Sequence, residues 1–76
     1  MEAVSLGPDW TSINSSNLDS AMYEAEQHRL SIRFKNGSVY HYGDVPQDVA
    51  DTLATSTSPG AFLANQIKGQ YPTERG

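Results

Sequence analysis

From Arg29 to Tyr42 the chain reads as two strands folded back on each other, and this hairpin constrains the fold more than any other feature. Leu30, Ile32 and Phe34 alternate with Arg29, Ser31, Arg33 and Lys35, the two-residue period of a strand with one apolar face. Asn36-Gly37 follows, and both residues tolerate the positive φ of a tight hairpin turn. Ser38 to Tyr42 returns as the partner strand. A sheet therefore has to form the centre of the domain.

The register of that hairpin has two solutions. A two-residue turn at Asn36-Gly37 pairs Arg33 with Tyr40, and both tyrosines then share a face with the basic residues. A three-residue loop, Lys35-Asn36-Gly37, makes the glycine a bulge and places Phe34 opposite Ser38. Tyr40 then joins Ile32, and Tyr42 joins Leu30, on the core face. A slip of one residue converts a binding face into core. The scarcity of apolar residues in a chain of 76 favours the second solution.

Other strands flank the hairpin. Ser20 to Glu26 alternates, with Ala21, Tyr23 and Ala25 on one side, and Gln27-His28 is the expected connection. Thr11 to Ser16 reads as a short strand with Ile13 inward, followed by a polar turn around Asn14 to Asn17. Two helices come next. Pro46 suits a first helical position, and Val45, Val49 and Leu53 recur every four residues. Ser58-Pro59 opens a second helix, Phe62, Leu63 and Ile67 give its apolar face, and Lys68-Gly69 closes it. Helices are thus expected over Pro46 to Ala54 and Pro59 to Lys68. Strands followed by helices predict an α+β domain: a small antiparallel sheet of three or four strands with two helices packed on one face. The expected core is Trp10, Ile13, Tyr23, Leu30, Ile32, Phe34, Val49, Leu53, Phe62 and Ile67. Residues 1–9, broken by Gly7-Pro8, read as an N-terminal arm, residues 10–71 as the domain and residues 72–76 as a polar tail.

Charge and chemistry narrow the function. The net charge is −4, yet Gln27 to Gly43 holds Arg29, Arg33 and Lys35 and no acid. There is no cysteine, which excludes disulfides, thiolate nucleophiles and thiolate metal sites. His28 and His41 lie in different segments without the spacing of a metal set. No serine stands in a Gly-x-Ser-x-Gly elbow, and Ser15-Ser16 precedes a turn where hydroxyls bond to local backbone. No P-loop or dinucleotide motif is present. The start of the second helix, Ser58-Pro59-Gly60-Ala61, offers the anion affinity common to helix N-termini. No apolar run approaches the ~18 residues of a membrane helix, and the N-terminus lacks the pattern of a secretory signal. The expectation is a cytoplasmic, non-enzymatic binding module with no metal and no cofactor.

Two partner classes fit. A protein partner would use the acidic residues Asp44, Asp48 and Asp51 near the first helix, or an open sheet edge. A nucleic acid, RNA above all, would use the basic strand Arg29, Arg33 and Lys35, with Lys68 extending the strip. Tyr40 and Tyr42 would then serve as stacking platforms. Charge balance places the protein partner first.

The order of motifs also resembles a known family. Ser15-Ser16, Met22-Tyr23, Leu30 to Gly37, Tyr40-x-Tyr42-Gly43-x-Val45-Pro46, then Ser58-x-Gly60-x-Phe62, Ile67 and Tyr71 are similar to the KTSC domain. That domain is found at the C-terminus of some lysyl-tRNA synthetases and as small stand-alone bacterial or phage proteins. The resemblance runs from Trp10 to Tyr71. It implies no catalytic residues, and it implies RNA binding only through the association with a synthetase.

Overall fold

The hairpin adopts the three-residue loop. In a computed structural model that describes residues 6–76, β3 (Arg29–Phe34) and β4 (Val39–Tyr42) pair Ile32 with Tyr40 and Leu30 with Tyr42. The Phe34 N–H donates to the Ser38 carbonyl at 2.8 Å, and the Gly37 N–H donates back to the Phe34 carbonyl at 2.9 Å. Gly37 has φ +95°, which an L side chain adopts only under strain. The Asn36 side chain closes the loop by accepting from the Ser38 N–H at 2.9 Å. Both tyrosines therefore share the face of Leu30 and Ile32.

The sheet has five antiparallel strands in the order β1-β2-β3-β4-β5, rather than three or four. The additional edge strand is β5 (Thr73–Arg75), inside the segment read as a polar tail. It pairs Tyr40 with Arg75 and Tyr42 with Thr73. All three of its residues are exposed, so no hydrophobic pattern betrays it. At the other edge β1 is only Thr11–Ser12. Between them β2 (Leu18–Glu24) starts and ends two residues earlier than the alternation suggests. A bulge between Leu18 and Ser20 keeps Leu18 opposite Phe34, with Ala21 opposite Ile32. His28, at φ 51°, turns the chain into β3.

Helix α1 (Gln47–Thr55) and helix α2 (Pro59–Phe62) follow, and α2 continues into a π-helical turn, Leu63–Ile67. They bury Ala50, Leu53, Leu63 and Ile67 against Leu18, Ala21, Tyr23, Leu30, Ile32 and Tyr42. Gly60 lets α2 approach the loop before β2, since a Cβ there would lie 2.6 Å from the Asn17 Oδ1. The Tyr23 hydroxyl ties α1 to the sheet by donating to the Val45 carbonyl at 2.5 Å.

The core differs from expectation at its margins. Trp10 is half-buried and packs outside the core, with the Arg33 guanidinium 4.4 Å from its ring centre. Its place is taken by Leu18, Val45 and Tyr42, none more than 1% exposed, and by Leu6, which is 4% exposed. Phe34, Val49 and Phe62 are partly buried against the core rather than inside it. Of the nine residues read as an arm, the first five lie outside the described residues. Leu6 joins the core, and the Gly7 carbonyl accepts from the Tyr23 N–H at 2.8 Å. None of the described helices is long and apolar enough to cross a membrane.

Candidate functional site

The two helices do not cover the whole core face of the sheet. Beyond them, at the β3–β4 hairpin end, Phe34 and Tyr40 meet edge-to-face with ring centres 5.6 Å apart. They sit in a cleft of about 530 Å³ that Tyr42 and Thr73 also line. Lys35 enters the cleft from the hairpin loop and Lys68 from the end of the π-helical turn. Arg75, on β5, lies over the Tyr40 ring at 5.9 Å from its centre. Ser16, Asn17, Asn36 and Ser38 supply the polar rim, and no aspartate or glutamate among the described residues lines the cleft.

Local structure places each of these groups. The Lys35 N–H donates to the Asn17 carbonyl at 2.9 Å, which ties the hairpin to the loop before β2. Ser15 shapes that loop: its hydroxyl donates to the Asn17 Oδ1 at 3.0 Å and accepts from the Leu18 N–H at 3.3 Å. Gly69, at φ +80°, ends the helical segment just after Lys68. Strand alternation and the bulged hairpin then bring Tyr40, Phe34 and Arg75 to one face.

The six residues expected to form a nucleic-acid strip do not form one surface. Lys35, Tyr40, Tyr42 and Lys68 line the cleft. Arg29 and Arg33 point to the opposite, helix-free face, because they alternate with Leu30 and Ile32. There Arg33 covers Trp10, and the Arg29 Nε lies 3.8 Å from a Glu24 carboxylate oxygen. Tyr42 is 1% exposed and so offers no ring face for stacking. Burial, and secondarily the neighbouring Tyr40, raises its phenol above the ordinary value of 10.0. Tyr40 remains half-buried at the cleft.

The three acids are also divided. Asp48 and Asp51 on α1 are close enough to Tyr23 to add to the effect of burial in raising its phenol above 10.0. Asp48 is exposed, while Asp51 is half-buried with its Oδ1 enclosed and without a hydrogen-bond partner. Asp44, at φ 58°, instead borders a shallow hollow with Arg29 and His41.

A serine–histidine contact exists, between the Ser31 hydroxyl and the His41 Nδ1 at 2.7 Å. Ser31 is completely buried, so no substrate reaches it and the pair cross-links β3 to β4. Among the described residues no three histidine or carboxylate side chains converge on a point that would hold a metal ion.

Comparison with known proteins agrees with the motif order. Residues 14–71 match the KTSC domain, and the chain belongs to that family. The KTSC domain protein of Yersinia pestis superposes with a TM-score of 0.84 at 26% identity, over 90% of this chain and 96% of that one. A protein of Tsukamurella paurometabola is 32% identical over 59 residues, 78% of this chain and 88% of that protein. A lysine–tRNA ligase of Nostoc punctiforme is 38% identical over 53 residues, 70% of this chain. That segment is only 9% of the ligase, so the chain corresponds to a small part of the larger enzyme.

Sequence reasoning missed Arg75, assigned to a tail, and treated Phe34 as core. Exposed Thr-Glu-Arg carries no apolar signal, and only the preceding Pro72 and the β-branched Thr73 hint at an edge strand.

Proposed function

We propose that this KTSC domain is a non-enzymatic binding module that docks a protein partner at the Phe34–Tyr40 cleft. The observation that carries the reading is the uncovered end of the core face, where two aromatic rings in contact with each other stay partly exposed inside one cleft. Partly exposed aromatic rings are the usual anchors of protein interfaces, because they bury large area with few rotatable bonds. The cleft is also large enough for one or two side chains of a partner. The acidic pair Asp48 and Asp51 is a separate docking candidate on α1, and of the two only Asp48 is exposed.

RNA is the rival class, since a homologous segment occurs in lysine–tRNA ligases. Its support weakens with Tyr42 buried and with Arg33 engaged by Trp10. A photo-reactive phenylalanine placed at Ser38, beside the cleft, tests the reading in cells, with Asp48 substituted the same way in parallel. Adducts from position 38 that are protease-sensitive and nuclease-resistant are expected. Nuclease-sensitive adducts, or adducts from position 48 alone, would contradict it.

A further inference from the structure

The distribution of charge says more about what enters the cleft. The chain has only five basic residues against nine acids. Three of the five, Lys35, Lys68 and Arg75, stand around the Phe34–Tyr40 pair. All three are exposed. With no acid lining the cleft among the described residues, it is a local positive site on a negative molecule. Building on the docking role proposed above, we infer that the cleft takes an acidic peptide segment, an aromatic side chain flanked by carboxylates. The ring packs on Phe34 and Tyr40, and the carboxylates meet the three cations.

Three features favour a peptide over a nucleic-acid strand. The rings meet edge-to-face at 85°, so they offer no parallel platform on which successive bases would stack. The Arg75 guanidinium already lies over Tyr40. Outside the cleft the described surface carries exposed Asp19, Asp44, Asp48 and Glu74, which repel a polyanion long enough to leave the cleft. A short acidic segment ends before it meets that repulsion. The rest of the partner gains if it is basic, because the remainder of this surface is acidic.

The test is a fluorescence-anisotropy titration with the whole 76-residue chain. The probes are a labelled peptide with two acids on either side of one phenylalanine, its glutamine/asparagine counterpart, and a labelled oligouridylate. At about 20 mM salt, where surface charge is weakly screened, the acidic peptide should bind and the neutral one should not. The double substitution Lys35→Glu, Lys68→Glu should weaken the acidic peptide about tenfold or more. Lys35→Arg, Lys68→Arg should retain binding, and circular dichroism confirms that each variant is folded. No binding of the acidic peptide, binding indifferent to the Glu substitutions, or tighter binding of oligouridylate would overturn the inference. Should it fail while position 38 still cross-links to protein, the ligand chemistry is wrong and the docking role stands. Loss of both removes the docking role as well.

Discussion

Tyr40 and Tyr42 sit two residues apart in one strand and on one face, yet they do different work. Tyr42 lies under the helices and is core, while Tyr40 lies past them and forms the cleft wall. Tyr23 shows a third use of the same side chain. Its ring is in the core, and its hydroxyl holds the backbone at Val45 just before α1. Replacing Tyr23 by Phe leaves that carbonyl without its partner and should cost about 1–3 kcal/mol at neutral pH. The alkaline limb should change too. Burial, followed by Asp51 and Asp48, raises the folded-state phenol above 10.0. Above pH 10 the unfolded chain releases this proton while the folded chain still holds it, so wild-type stability falls as pH rises. Urea denaturation between pH 8 and 11 should show a shallower fall in Tyr23→Phe, with the remainder due to Tyr42. An identical slope in both proteins would mean that Tyr23 is not buried as described.

Among the elements, the β3–β4 hairpin determines which side chains become site. Its bulged loop sends Tyr40 to the core face and Arg33 to the other. Gly37 enables that loop at φ +95°, with open space around its Cα. Gly37→Ala therefore meets no clash, and its cost is conformational, about 1–2 kcal/mol. Differential scanning calorimetry should show a midpoint lowered by about 5–15 °C. An unchanged midpoint would mean that Gly37 does not hold a positive φ, and would contradict the bulged loop. The hairpin, both helices and the α+β class were legible in the sequence because periodicity and Asn36-Gly37 act locally. The choice of register came from counting apolar residues, a global argument. β5 was not legible, since its pairing depends on the free edge of β4 and not on its own side chains. Trp10 was misplaced for a related reason. Its size suggested core, but the core was already filled by Leu18, Val45 and Tyr42, and Trp10 instead lies against Arg33.

Across the whole molecule, one face of the sheet carries the helices and the other carries Trp10, Arg33, Arg29 and the Ser31–His41 link. A basic run read from sequence is therefore divided where the strand ends: Arg29 and Arg33 stay on the helix-free face of β3, while Lys35, in the loop just past Phe34, lines the cleft. The cations that do converge come from three separate segments: the hairpin loop, the end of the helical region and β5. No sequence window contains them together, which is why the cleft could not be read from charge runs. The central claim is that ligands meet this protein at the cleft and not on the arginine face or along α1. Amide chemical-shift mapping of the isotope-labelled protein, titrated with the acidic phenylalanine peptide, tests it most directly. The account predicts shifts concentrated at Asn17, Phe34, Lys35, Tyr40, Lys68 and Arg75. Shifts centred on Trp10, Arg29 and Arg33, or on Asp48 and Asp51, would contradict it.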